Sequence, residues 1–232
     1  MNYEYYYNNV PGHGLCRNNL IYTSLISQDK KTFVQWYHND TDYHKGQNQV
    51  VDPSKMEEKW NREIKFLQLM RGAFPNLVPT VLDIDHKNRK IYLEIDGVDL
   101  WERAGCTGTD YSTVLPNWRE QMLEIIQAHS TMGFYKYSMH PSSYFIVNNK
   151  LKSINYFFCY FKNEPSLMIS DVMSHISENR QLDLFPKMSN MGIDPSKPIS
   201  HFDFQKVAFE SFKTNFDEST MESAKKIYAQ SC

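Results

Sequence analysis

The order of strand-like and helix-like segments is the feature of this sequence that most limits its fold. Residues 1–98 contain runs of β-branched and aromatic residues that predict strands, together with one helical segment. Residues 99–232 mostly show the helical spacing of apolar residues, apart from a small hairpin at 144–158. Because strands and helices occupy different parts of the chain, we predict an α+β fold with two lobes. The N-terminal lobe is small and mostly β, and the C-terminal lobe is mostly helical.

A first strand-like segment is predicted at residues 3–7, and four strand-like runs follow it in the N-terminal lobe. These four runs lie at residues 20–27, 32–37, 81–85 and 90–95, and polar turn residues follow the first and third of them. Gln28-Asp29-Lys30 is predicted to be the turn between the first two runs. The four runs therefore predict antiparallel strands in this lobe.

A long helix is predicted over residues 54–71, between the second and third of these four runs. Ser54 followed by Glu57 has the spacing of a capping box, in which the hydroxyl accepts from the open backbone amides at the helix start. Helical spacing places Glu63 within an apolar stripe made of four residues: Met56, Trp60, Leu67 and Met70. Because a buried carboxylate needs a partner, we expect Glu63 to be held by Gln35, by backbone amides or by a substituted cation, with a raised pKa where no cation is near.

The C-terminal lobe is predicted to start with a loop at 103–116 and a helix at 117–131. Two strands follow at 144–147 and 151–158, joined by Asn148-Asn149, whose residues tolerate positive φ. Beyond them, the sequence predicts helices interrupted at four positions: Pro186, Gly192, Pro195 and Pro198.

Composition excludes several classes of function. The chain of 232 residues has 25 Lys and Arg against 27 Asp and Glu, and a net charge of −2 argues against a nucleic-acid-binding protein. Hydrophobic residues at 41% and aromatic residues at 14% are typical of a packed globule. No apolar run approaches the ~18 residues that span a membrane, and the first residues lack the pattern of a secretory signal. We therefore expect a cytoplasmic protein with no membrane partner.

Four segments resemble protein kinases, nearest to the branch of aminoglycoside phosphotransferases and choline kinases. The segment 82–97 resembles the last small-lobe strands that lead to the hinge, and 126–129 (IQAH) the end of the helix before the catalytic loop. The segment 136–145 (KYSMHPSSYF) resembles the loop itself, and 154–157 (INYF) the metal-binding D-F-G. Glu63 lies where the family has its C-helix glutamate. The resemblance covers roughly residues 1–160, and there is a fainter likeness to uncharacterised kinase-like proteins of marine bacterial viruses. It implies a protein-kinase-like two-lobe fold with a reduced C-terminal lobe.

The resemblance also shows which chemical groups are missing. In kinases a loop Asp is the catalytic base, a loop Asn and the D-F-G Asp hold magnesium, and a strand Lys pairs the phosphates with the helix Glu. The corresponding positions here are Ser138, Ser143, Asn155 and Gln35, respectively. None of the four carries the family's residue. In any register of the alignment, the segment between Phe134 and Glu164 contains no Asp.

These substitutions predict a chain without catalytic or metal-binding residues. Serine cannot act as a general base near neutral pH, and Mg²⁺ prefers carboxylate and phosphate oxygens. No cofactor is expected, and nucleotide binding would be weak or independent of metal. Pro11-Gly12-His13-Gly14 lies where a phosphate-covering loop would be. The candidate residues of the cleft between the lobes are Gly12, Gly14, Gln35, Glu63 and Asn155.

We therefore predict a catalytically inactive kinase-like protein, a pseudokinase, that acts as a binding or regulatory module with an unidentified protein partner. One alternative is a phosphotransferase or nucleotidyltransferase with a rearranged active site that recruits other carboxylates from Asp83, Asp85, Asp110 or Asp171. A further alternative is a small-molecule or nucleotide sensor that binds its ligand in the same cleft without turning it over.

Overall fold

The protein has a mixed α/β fold whose largest element is a five-stranded antiparallel sheet. A computed structural model describes residues 2–6, 22–38, 53–105, 110–136, 139, 141–157, 159–164 and 217–229. The helices that the sequence predicts around Pro186 to Pro198 lie outside these residues.

The sheet is built from the N-terminal strands. In spatial order they are β1 (Tyr3–Tyr5), β2 (Tyr22–Ser27), β3 (Thr32–Tyr37), β5 (Lys90–Glu94) and β4 (Val81–Asp85). The turn between β2 and β3 lies at Gln28-Asp29-Lys30, where Lys30 has a φ of +56°. Each of the five strands thus lies beside a strand that precedes or follows it in the sequence, and β5 lies between β3 and β4.

Helix α1 (Pro53–Ala73) packs its apolar stripe into the core. The side chains of Met56, Trp60, Leu67 and Met70 are at most 5% exposed, and Glu63 among them is fully buried. The predicted cap at Ser54 is wrong, because the helix already includes Pro53 and Ser54 lies within its first turn. Proline is well suited to this position because its missing N–H would have no partner there.

The remaining elements follow the sheet in sequence. After a four-residue helix come the longer helix, four short strands and a last helix: α2 (Leu100–Arg103), α3 (Trp118–Thr131), β6 (Phe134–Lys136), β7 (Tyr144–Val147), β8 (Lys150–Ser153), β9 (Cys159–Phe161) and α4 (Glu218–Ala229). β7 pairs with β8, and β6 pairs with β9. Asn148 and Asn149 form the β7–β8 turn with φ values of +52° and +58°, which confirms the predicted backbone conformation.

The prediction of one strand over 151–158 is wrong. β8 ends at Ser153, because Asn155 adopts a left-handed backbone with a φ of +66° that breaks the extended chain. The chain then turns and forms β9, whose partner β6 was not predicted. Each of these two strands has three residues, which is too short for the alternation of apolar and polar side chains to be recognised.

Aromatic rings join the sheet, α1 and the later strands into one core. Phe33 of β3 lies 5.1 Å from Phe145 of β7 between ring centroids. Phe66 of α1 lies 4.7 Å from Phe134 and 4.9 Å from Phe161. No helix in the described ranges is long and apolar enough to cross a membrane.

Candidate functional site

Asn155 is the centre of a buried hydrogen-bond network that joins the sheet to the β7–β8 region. Its Oδ1 accepts from the hydroxyl of Tyr22 at 2.5 Å and from Nε2 of Gln35 at 3.0 Å. Its Nδ2 donates to Oγ of Ser143 at 2.8 Å. All four side chains are at most 1% exposed. We call these four residues the Asn155 network.

Local backbone rules place each member of this network. Gln35 and Tyr37 are two residues apart on β3, so their side chains lie on the same face of the sheet. Tyr22 is the register partner of Tyr37, which brings it to that face as well. Ser143 ends a 3₁₀ turn, and its carbonyl accepts from the amide of Ile154 at 2.9 Å. This backbone hydrogen bond joins the two chain segments that carry Ser143 and Asn155, next to the side-chain contact between them.

The Asn155 network is electrically neutral. It contains two amides and two hydroxyl groups and no carboxylate, so it supplies no charge to a metal ion or to a transferred phosphoryl group. The Oδ1 of Asn155 already accepts two hydrogen bonds, and a bound cation would have to displace at least one of them. This arrangement is chemically suited to joining secondary-structure elements.

Glu63 is bound next to this network by donors from two different elements. Its Oε2 accepts from the hydroxyl of Tyr37 at 2.9 Å and from the backbone amide of Phe157 at 2.7 Å. Its Oε1 has no hydrogen-bond partner in the described part of the chain. Burial raises the pKa of Glu63 to about 7, while the hydrogen bond from Tyr37 and the charge of Lys136 act in the opposite direction.

Lys136 is the cation that acts on Glu63 inside the core. It lies on β6, is 2% exposed, and its ammonium lies 5.3 Å from the ring centroid of Tyr144 and 5.8 Å from that of Tyr156. Burial lowers the pKa of Lys136 to about 8, while Cys159 and Glu63 act to raise it. Burial thus raises the pKa of Glu63 and lowers that of Lys136, so it disfavours the charged form of both groups.

The structure brings together only some of the residues that the sequence proposes for a site. Gln35, Ser143 and Asn155 meet in the Asn155 network, although up to 120 positions separate them. Glu63 lies beside it through Tyr37 and Phe157. Gly12, Gly14 and Ser138 lie outside the described residues.

Of the three alternative partners expected for Glu63, the backbone amide is confirmed and Gln35 is not. Gln35 donates to Asn155 instead, and Glu63 is held by a tyrosine hydroxyl and a backbone amide. A raised pKa of Glu63 was expected only where no cation is near, and burial raises it here although the charge of Lys136 acts to lower it. Tyr37 holds Glu63 in place of Gln35 for a geometric reason. Tyr37 is the next residue of β3 on the same face as Gln35, and its hydroxyl reaches the carboxylate.

Three residues of this region were missed by sequence reasoning: Tyr22, Tyr37 and Lys136. Tyr37 could have been found from its position two residues after Gln35, because alternate residues of a strand share a face. Lys136 stands between aromatic residues in the sequence Phe134-Tyr135-Lys136-Tyr137, and this setting is a weak local signal of burial. Nothing local marks Tyr22, whose role depends on its pairing with Tyr37.

The sequence analysis proposed four carboxylates for a rearranged active site, and three of them lie in the described part of the chain. Asp85 accepts from the backbone and side chain of Asn88 in its own turn. Asp110 accepts from the backbone amide and hydroxyl of Ser112 and from the indole of Trp118. Asp83 is exposed on β4, and Asp171 lies outside the described residues. Within the ranges described, no three His, Cys, Asp or Glu side chains form a cluster that could hold a metal ion.

Comparison with solved structures shows a likeness to structures of WbdD. No protein-family model matches the chain, and no curated protein matches it in sequence. The crystal structure of monomeric WbdD is 12% identical with a TM-score of 0.47, over 90% of this chain and 48% of that one. A medium-resolution structure of the bifunctional kinase-methyltransferase WbdD is 14% identical with a TM-score of 0.45, over 99% of this chain and 50% of that one. The chain spans about half the length of both.

Proposed function

We propose that this chain is a kinase-like protein that does not transfer phosphate and that acts as a binding or regulatory module. The observation that carries the proposal is the Asn155 network. Three of its members, Gln35, Ser143 and Asn155, stand at the positions where the kinase resemblance places a lysine, a metal-binding asparagine and a metal-binding aspartate. Here they are neutral, buried and hydrogen-bonded to one another or to Tyr22.

The network supports this proposal through the requirements of phosphoryl transfer. That reaction depends on positioned cations and carboxylates that stabilise the charge of the transferred group. Mg²⁺ needs oxygen ligands in octahedral geometry and usually includes a carboxylate among them. The side-chain amide of Asn155 already bonds to Tyr22, Gln35 and Ser143, and it would have to lose some of these bonds before it could bind a metal–nucleotide complex.

We expect no phosphate transfer from ATP to protein, aminoglycoside or choline acceptors, because no carboxylate occupies the base or metal positions. Loss of the base alone lowers a phosphotransferase rate by roughly 10²–10⁴. Radiolabelled ATP with each acceptor class, in Mg²⁺ or Mn²⁺, measures this. A known aminoglycoside kinase tested in parallel serves as the positive control.

Two variants locate the site if turnover is detected. Metal-dependent turnover that persists in a folded Ser138→Ala, Asn155→Ala double variant would mean that the active site lies elsewhere in the chain. Turnover lost in the Ser138→Ala single variant, which leaves the Asn155 network intact, would mean that this serine works without a carboxylate. Either result would contradict the proposal.

We expect ATP affinity to be weak and not to increase with Mg²⁺, because an amide at position 155 supplies a neutral oxygen only. The Asn155→Asp, Ser143→Asn double variant should bind ATP more tightly in Mg²⁺ than without it, since it restores a carboxylate and an amide. Isothermal titration calorimetry of both proteins measures this. A tight native Mg²⁺–ATP complex would favour the nucleotide sensor or the enzyme instead, and a thermal-shift screen with ATP, ADP and GTP would identify the nucleotide.

A further inference from the structure

A groove with a volume of about 680 Å³ runs along the outer face of α1. Seven of its lining residues follow one another at helical spacing on α1, from Asn61 to Ala73, and the opposite wall is formed by Met132 and Phe161. The α1 residues that line it are Asn61, Ile64, Lys65, Gln68, Leu69, Gly72 and Ala73. The groove is mostly apolar and open to solvent.

The floor of the groove near its end is empty because Gly72 has no side chain. A Cβ built on Gly72 would meet no atom within 4 Å. Ile64 and Leu69 are only partly buried against the core, so their remaining surface faces the groove. From Asn61 to Ala73 the lined stretch of helix is about 18 Å long, at 1.5 Å per residue, which matches a partner helix of about twelve residues.

Lys65 provides the charge in this groove. Its ammonium lies over the ring of Phe161, 4.5 Å from the centroid, and 5.9 Å from the centroid of Phe66. No carboxylate in the described part of the chain forms an ion pair with it. The lysine is exposed, so an incoming carboxylate can reach it. The groove thus combines a mostly apolar lining with one exposed cation, which lies over an aromatic ring.

We propose that this groove binds an acidic amphipathic helix of a partner protein. The apolar face of that helix would cover Ile64, Leu69 and Phe161, and one of its carboxylates would pair with Lys65. Recognition of a helix in a groove through an apolar stripe and a flanking charge is a general mode of peptide binding. The inference rests on the proposed function as a binding module and names the surface and the partner chemistry.

A second copy of this chain is a poorer occupant than an acidic helix. A symmetric dimer through this face would bring α1 against itself. Lys65 lies near the middle of the lining stretch, so the two ammonium groups would meet close to the symmetry axis. Like charges in that position oppose association.

The test uses fluorescein-labelled helical peptides and fluorescence anisotropy with the full chain. All peptides share one leucine stripe at helical spacing, and they differ in whether the flanking positions carry glutamate or lysine. We expect the acidic peptides to bind at least tenfold more tightly than the basic ones, and the preference to weaken with added NaCl. Several positions of the glutamate relative to the leucine stripe are compared.

Variants with matched controls connect the binding to the groove. Gly72→Leu should abolish binding because its side chain fills the empty floor, whereas Gly72→Ala should retain it. Lys65→Glu should reverse the preference toward the basic peptides. Lys87→Glu makes the same change of charge at an exposed position in the β4–β5 turn and should leave the preference unchanged.

Equal affinity for acidic and basic peptides, or binding that Gly72→Leu leaves intact, would overturn the inference. Absence of saturable binding to every peptide would also overturn it. A dimer in sedimentation equilibrium that Gly72→Leu dissociates would show that a second copy occupies the groove instead. Neither Gly72 nor Lys65 takes part in the hydrogen bonds of the Asn155 network. A negative result in the peptide experiments is therefore distinct from a negative result in the phosphate-transfer and ATP-binding experiments.

Discussion

Replacing Asn155 with alanine is expected to lower the free energy of unfolding by about 3–5 kcal/mol. The substitution removes the acceptor of two hydrogen bonds and the donor of a third, all in a region that is at most 1% exposed. A buried polar group that loses its partner costs about 1–3 kcal/mol. Alanine is also strained at a φ of +66°, which adds about 1–2 kcal/mol. Guanidinium denaturation followed by circular dichroism measures the change.

The matched control is Asn148→Ala. Asn148 also has a positive φ, +52°, but its side chain is exposed in the β7–β8 turn. Its replacement should lower the free energy of unfolding by about 1–2 kcal/mol, which is the strain of alanine at a positive φ alone. Equal losses in the two variants would show that the Asn155 network contributes nothing beyond the backbone conformation, and the structural role assigned to it would be wrong.

The second large effect is a pH-dependent gain in stability for Glu63→Gln. The pKa of Glu63 is about 7 in the folded chain, against an ordinary value of 4.5. Its contribution to stability is therefore complete below about pH 4.5 and is lost as the pH rises through 7, by about 3 kcal/mol in total. Glutamine cannot ionise and avoids this loss. The lost attraction to Lys136 reduces the advantage, so we expect the variant to gain about 1–3 kcal/mol over the wild type between pH 5 and pH 8.

Urea denaturation of both proteins at a series of pH values measures this gain. Glu120→Gln is the control, because it makes the same change at an exposed position of α3 and should follow the wild-type curve. If Glu63→Gln instead lost more than about 2 kcal/mol at pH 8, Glu63 and Lys136 would form a strong buried ion pair, since breaking such a pair has a cost on that scale. The carboxylate would then be ionised at neutral pH.

These two predictions concern neighbouring parts of one polar region. Asn155 joins β2 and β3 to Ser143, and two residues later the amide of Phe157 donates to Glu63 of α1. The segment 155–157 therefore bonds to the sheet and to α1 at the same time. A loss of either contact should loosen the same junction, so the two substitutions are expected to be non-additive.

Local patterns in the sequence determined the elements that carry this junction. The apolar stripe of α1 and the place of Glu63 within it follow from helical spacing, and the structure confirms both. The β7–β8 turn follows from Asn148-Asn149, because asparagine tolerates positive φ. Both predictions depend on residues close together in the chain, where backbone geometry decides which side chains share a face.

Tertiary structure alone decided which polar groups meet. Gln35 bonds to Asn155 rather than to Glu63, and Tyr37 and the Phe157 amide bind the carboxylate instead. β6 and β9 pair across more than twenty residues although each has three. These partners are 26 to 120 positions apart. The two β3 donors that face Asn155 and Glu63, Gln35 and Tyr37, are only two residues apart. No local pattern encodes such a choice, because it depends on how the sheet, α1 and the segment 155–157 pack against one another.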